Sequence, residues 1–163
     1  KENGAKVVAR LEAKAAAGES DAALDDLDLA LRTGAAIPKS YLLRATLNLN
    51  RKPAPLRLVI DDLTRALALS PHLTEAYLPR AIAYQRASRY DEALSDLTRA
   101  TGASPARLAL VRADCLYGKG EWQNAKSSYQ TFLRLDPRSA DRERGQERVR
   151  DCDSRLRTGS SDF

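Results

Sequence analysis

The chain has 163 residues, 43% hydrophobic and 30% charged, with a formal net charge of +5. That length supports one compact domain with a sizeable core, and the balance argues against disorder. No apolar run approaches the ~20 residues of a membrane span. Ala, Leu and Arg dominate and β-branched residues are few, so local preference is helical. The largest basic excess lies in residues 38–73, where Lys39, Arg44, Arg51, Lys52, Arg57 and Arg65 stand against Asp61 and Asp62. Acids are mixed with bases throughout, which reads as solvated helix faces; a patch for an acidic partner is the alternative. No signal sequence is visible, but the chain starts at Lys1 without Met and reads as a trimmed piece, from which a missing leader implies nothing. A cytoplasmic setting is favoured.

Taken in order, the first helix is expected over about residues 5–17. Gly18, Glu19 and Ser20 make a turn with Ser20 as N-cap. The second helix ends near Thr33, with Gly34 as a left-handed stop. Pro38 suits the first turn of the third helix. Pro53 and Pro55 stiffen the turn from Asn50 to Pro55, and Pro55 opens a fourth helix running to Leu69. In the fifth, Pro79 would forfeit one backbone bond and crowd the carbonyl of Glu75, so a kink or a late start is expected. The sixth begins near Tyr90–Asp91 and ends by Gly102, and Ser104–Pro105 reads as cap plus first residue of the seventh. Gly118 and Gly120 frame the next turn, and Trp122 opens the eighth helix as a core wedge. Asp136–Pro137 repeats the cap-plus-proline signal for a ninth helix to about Arg157. Its apolar stripe is Gly145, Val149, Cys152 and Leu156, the rest being Arg, Asp and Glu. Thr158–Phe163 is expected to be a disordered tail.

Residues 74–105 hold the pattern most clearly. Ala76, Tyr77, Arg80, Ala81 and Tyr84 share one face of a helix, and Tyr90, Ala93, Leu94, Leu97 and Ala100 share one face of the next. Small residues let the two approach, and large ones fill the space beside them. Such a hairpin cannot bury its face alone and needs stacked copies. The small residues Ala23, Val59, Ala93 and Ala125 recur at intervals of 36, 34 and 32 (23 to 59, 59 to 93, 93 to 125), and DDLDLAL, DDLTRAL and SDLTRAT return in register.

Tyr77, Ala81, Tyr84, Ala93, Leu97, Ala100 and Pro105 together resemble the tetratricopeptide repeat (TPR), whose period is about 34 residues. Copies cover 38–73, 74–105 and 106–137, with a degenerate one over about 4–37; there Leu11 and Lys14 replace a small and an aromatic residue. The resemblance implies an all-α, right-handed solenoid of antiparallel helix pairs. It forms a single domain over 1–157, capped by the helix at 138–157, whose polar back suits the last open face of an array. The turn at 50–55 is about two residues longer than the family's; it reads as a tolerated insertion or as a protrusion that contacts a partner.

Little in the sequence points to catalysis. His72 is the only histidine and reads as a loop residue. Neither a G-x-S-x-G, nor a phosphate-binding glycine loop, nor an H-E-x-x-H is present. Cys115 and Cys152 lack metal-ligand spacing and read as reduced thiols. Asp25, Asp26, Asp28, Asp61 and Asp62 read as surface acids favoured by the helix dipole. An enzyme is not expected, nor is a cofactor or metal.

In the family the first helix of each pair lines a concave groove. By resemblance that surface here includes Val8, Leu42, Leu43, Thr46, Leu78, Ile82, Gln85, Arg86, Arg107, Leu110 and Asp114. The row Val8, Leu42, Leu78, Leu110 is apolar in every copy, which implies a groove for an apolar peptide or amphipathic helix. The alternative is that some of these side chains pack within the hairpins. Some family members hold acidic chaperone C-termini with a clamp of Lys, Asn and Arg. The two registers possible here place Val8, Glu12, Leu43, Glu75 and Pro79, or Leu42, Thr46, Pro79, Arg107 and Val111, at the clamp positions, and only Arg107 matches. The leading expectation is therefore a non-catalytic scaffold or adaptor with a protein partner. Its rivals are a co-chaperone module holding unfolded apolar segments, and a basic nucleic-acid binder using Arg44, Arg51, Lys52, Arg57 and Arg86.

Overall fold

The computed structural model describes residues 4–33 and 37–158. Its helices are α1 (Gly4–Ala16), α2 (Ser20–Arg32), α3 (Pro38–Leu49), α4 (Leu56–Leu69), α5 (Tyr77–Arg86), α6 (Tyr90–Leu97), α7 (Pro105–Gly118), α8 (Trp122–Leu135) and α9 (Arg142–Thr158). The described residues contain no strand.

Small side chains set the spacing of these helices. Ala23, Val59, Ala93 and Ala125 in the second helices have no accessible surface, and neither do Ala45, Ala81 and Ala113 opposite them in the first. At the equivalent place in α1, Leu11 is equally buried, so the degenerate opening pair accommodates a larger side chain at its crossing. Each hairpin packs on the next: α2 touches α3, α4 touches α5, and α6 touches α7. The first helices α1, α3, α5 and α7 also touch in sequence and so form one continuous row. Helix α9 packs on α8 and closes that end. One core cluster spans α3 to α7. A second, built from Ala106, Ala109, Leu110, Ala113, Ala125, Tyr129, Phe132 and Cys152, joins α7, α8 and α9.

Three hairpins turn in three residues, Ala17–Glu19, Ala87–Arg89 and Lys119–Glu121, and each has a left-handed middle residue. These are Gly18 (φ 91°), Ser88 (φ 58°) and Gly120 (φ 78°); only Ser88 adopts this conformation without being glycine. The α3–α4 turn takes six residues instead. Gly118 is needed for a different reason: a Cβ there would lie 2.3 Å from Cζ of Tyr90.

Several termini differ from expectation. Ser20 is the first residue of α2, Glu19 holds the cap position, and no side chain caps it. Pro55 likewise precedes α4, which begins at Leu56. A 3₁₀ turn at Thr74–Ala76 delays α5 to Tyr77, so Pro79 sits third in the helix. The first four N–H groups of a helix lack an internal partner, so proline there breaks nothing. Helix α6 stops at Leu97. Helix α9 starts at Arg142 rather than Pro137, because the chain must reverse after α8 before it can pack back. Two turn bonds do this, Ser139 N–H to the carbonyl of Asp136 (3.3 Å) and Arg142 N–H to that of Ser139 (3.1 Å). Gly34 and the tail after Thr158 lie outside the described residues.

Asp62 corrects the reading of the acids. It is 3% exposed and accepts two bonds from Arg44, Nε to Oδ2 at 2.8 Å and Nη2 to Oδ1 at 2.6 Å. Arg44 also donates to Asp28 at 2.6 Å. In the next hairpin Arg80 grips Asp96 in the same two-pronged way, at 2.7 and 2.8 Å. These bonds hold both guanidinium groups more firmly charged than usual, with the carboxylate bond the largest cause in each. In the opening pair Lys14 meets Asp26 at 2.9 Å. Asp26, Asp62 and Asp96 occupy the same place in DDLDLAL, DDLTRAL and SDLTRAT, so this register carries an inter-helix ion pair in three hairpins.

Cys115 and Cys152 are buried free thiols. Burial, aided by the charge of Asp114, pushes the Cys115 thiol up to about 12. Cys115 should therefore resist maleimide at pH 8 until the protein unfolds, and mass spectrometry with and without denaturant checks this. Its folded pKa lies above the unfolded one, so the unfolded state loses its proton first. Stability should fall as pH rises above the ordinary thiol range of about 8.5.

Candidate functional site

The inner row is less open than its sequence suggests. Val8 is 3% exposed and Leu110 2%, both closed into helix packing. Leu42 and Leu78 are half-buried against the larger core. No continuous apolar strip is therefore exposed; the surface is broken into clefts with polar rims.

The cleft that gathers most of the expected residues lies between α5, α7 and the start of α9, with a volume of about 410 Å³. Helical spacing brings Ile82, Gln85 and Arg86 to its edge from α5, and Arg107, Leu110, Val111 and Asp114 from α7. Asp141 and Arg144 add a wall from the far side. Leu42, Leu43 and Thr46 line a separate cleft of about 330 Å³ with Glu12, Lys39 and Glu75. Leu78 lines a third with Pro79 and residues 101–103. Val8 lines none of these clefts.

The first cleft is a charged network. Asp114 accepts the Tyr129 hydroxyl at 2.6 Å and Arg144 Nη1 at 3.1 Å. Burial, and then the Asp114 charge, push the Tyr129 phenol well above its usual range, so it remains a donor. Burial opposes the charge on Arg144, but Asp114 and Asp141 outweigh it and hold the guanidinium charged. Asp141 accepts from Arg144 Nε at 3.3 Å and lies 3.8 Å from Arg107 Nη1. Arg86 spends one donor on the carbonyl of Leu49, at 2.7 Å. The two acids are thus already engaged, while Arg107, with 47% of its side chain exposed, faces the cleft with only that longer ion-pair contact among the described residues. Such a cleft can take backbone carbonyls or a carboxylate beside the apolar edge of Ile82. Among the described residues no group of His, Cys, Asp or Glu is placed to hold a metal ion, and His72 is exposed in a turn.

Sequence reasoning missed Asp141 and Arg144. Both lie in the segment read as a cap, and only the late start of α9 brings them over α7. At both ends of the apolar row, Val8 and Leu110, the alternative holds and the side chains pack among the helices.

Hairpins stacked through small-residue crossings, with the first helices forming one inner row, are the fold of the tetratricopeptide-repeat proteins, and this chain has that fold. Among solved structures it is similar to MamA, residues 41 to the end, from Desulfovibrio magneticus RS-1 (TM-score 0.72, 16% identity, 97% of each chain covered). It is similar to YrrB, a TPR protein with an unusual peptide-binding site (TM-score 0.72, 19% identity, covering 84% of this chain and 71% of that one). It is also similar to the first TPR of Spaghetti (RPAP3) bound to an HSP90 peptide (TM-score 0.62, 20% identity, 73% and 92% covered). No family model and no curated protein matches the sequence. Among the described residues no helix is long and apolar enough to cross a membrane.

Proposed function

We propose that the chain is a non-catalytic interaction scaffold that seats a segment of a partner protein on its inner row, centred on the cleft of α5, α7 and α9. The observation that carries this reading is that Ile82, Gln85, Arg86, Arg107, Leu110 and Asp114, from two neighbouring hairpins, line one cleft. The solved structures of similar fold with bound or peptide-binding character support it as analogy. The partner segment is amphipathic rather than wholly apolar. Ile82 offers a half-buried edge, and Gln85, Arg107 and Arg86 offer hydrogen bonds that fix orientation. The nucleic-acid reading is weakened because Arg44, the first cation assigned to it, is tied to Asp62 and Asp28.

A displayed peptide library panned against the wild-type chain tests the proposal. Selected peptides should bind the variant Arg107→Glu at least tenfold more weakly while its circular dichroism stays unchanged, since the residue is exposed. Peptides that bind wild type and variant equally would place recognition elsewhere.

A further inference from the structure

The α3–α4 turn stands apart from the other three hairpin turns. It takes six residues where each of the others takes three. The extra length carries Arg51 and Lys52, both exposed, and ends on Pro53, Ala54 and Pro55. Beneath it opens a cleft of about 520 Å³ lined by Leu49, Asn50, Arg51, Lys52, Pro53, Ala54, Leu56 and Arg86. Three of these residues are cationic and none is acidic. The cleft of α1, α3 and Glu75, by contrast, is lined by two glutamates and one lysine.

We infer that this cleft is a second binding site, one that takes an acidic peptide segment of a partner protein. The charge on the lining sets the sign of the ligand. Among the described residues Arg51 has one weak acid contact, to Asp21 at 3.9 Å, where the side chains are 56% and 88% exposed; such a pair is worth about 0–1 kcal/mol in water and yields to a better placed carboxylate. Arg86 is fixed by its bond to the Leu49 carbonyl and keeps its other donors for a ligand. The floor is apolar, with Leu49 buried and Leu56 packed against the core, so a side chain between two carboxylates has a surface to rest on. Two prolines restrict the turn before anything binds, which lowers the entropy a ligand must overcome. A peptide fits this description better than nucleic acid, because no aromatic side chain lines the cleft for a base to stack on. Arg86 also lines the cleft of α5, α7 and α9, so the two sites adjoin, and one partner could bridge them. The inference does not depend on that first site binding anything.

The test is fluorescence anisotropy on the full chain with a labelled twelve-residue peptide of Glu interrupted by two Leu. The same peptide with Gln for Glu and a dT12 oligonucleotide serve as controls. The acidic peptide should bind at least tenfold more tightly than the Gln peptide. The double variant Arg51→Glu/Lys52→Glu should weaken it at least tenfold, and Arg134→Glu, an exposed charge reversal on α8 that lines neither cleft, should leave it within twofold. The milder Arg51→Gln/Lys52→Gln, with circular dichroism on every variant, keeps the result readable if charge reversal disturbs the fold. The inference is overturned if the Gln peptide binds equally well, or if the turn variants leave affinity unchanged. It is also overturned if dT12 binds as tightly as the peptide and is lost in the same variants, since the turn is then a general polyanion surface.

Discussion

Replacing Asp96 with alanine should lower stability by about 3 kcal/mol, seen as a fall in Tm of roughly 6–12 °C for a domain of this size. Asp96 is 5% exposed, and the Arg80 side chain it faces is 15% exposed. Removing the carboxylate leaves a guanidinium half-sunk between hairpins with only Thr64 Oγ1, 3.2 Å away, as a polar partner. Tyr77 and Tyr84 lie 5.8 and 5.7 Å from its centre and soften the loss without replacing two charge-assisted bonds. The double variant Arg80→Met/Asp96→Leu should recover most of the stability, because an apolar pair of similar volume avoids the desolvation cost altogether. Chemical denaturation of the wild type, Arg80→Met, Asp96→Leu and the double variant completes a cycle that measures the coupling directly. A loss below about 1 kcal/mol for Asp96→Ala would mean water screens the pair.

That ion pair also marks how far the sequence could be read. The period, the small-residue crossings and the helix count were legible because each is a local pattern with one structural solution. The register of Asp26, Asp62 and Asp96 was visible too, but acids near the front of a helix have an ordinary explanation in the helix dipole. What makes Asp62 and Asp96 different is an arginine on the preceding helix, just before its small crossing residue: Arg44 before Ala45, Arg80 before Ala81. Seeing this required superposing two helices in space rather than aligning one with itself. Pro79 shows the same boundary. Its chemistry forces either a kink or a late start, and the choice of late start is made by the 3₁₀ turn at Thr74–Ala76. The candidate cleft was legible on the α5 and α7 sides, where the resemblance to the repeat family implies which residues face inward. What was not legible is the burial of Val8 and Leu110, which share the apolar character of Leu42 and Leu78. Leu110 is closed because α8 and α9 bring Tyr129, Phe132 and Cys152 against α7, a packing that a single-helix pattern cannot express.

Tyr117→Ala should cost about 3 kcal/mol and should be felt chiefly in α9. Tyr117 is the hub on which that helix rests. Its ring meets Trp122 edge-on at 5.2 Å and Tyr129 at 6.4 Å. Arg148 of α9 lies over it at 4.1 Å, and Arg155 sits 4.6 Å from the Trp122 ring beside it. Its hydroxyl donates to Asp151, also of α9. Truncating a large aromatic typically costs 3–5 kcal/mol, and the half-buried setting of Tyr117 puts it at the low end. The apolar stripe of α9 is narrow, so contacts through Tyr117 make up a large share of what docks it. Hydrogen exchange should show α9 amides losing protection while those of α3 to α6 keep theirs, since that core cluster does not include Tyr117. Tyr117→Phe keeps the rings and loses only the Asp151 bond, so it should cost about 1 kcal/mol. Asp141 and Arg144 ride with α9, so its release removes one wall of the cleft and frees Asp114 from Arg144. Under the proposed function, peptides selected on the wild type should bind Tyr117→Ala more weakly although Tyr117 is not in the cleft lining. Unchanged affinity together with a deprotected α9 would show that the partner needs only the α5 and α7 sides.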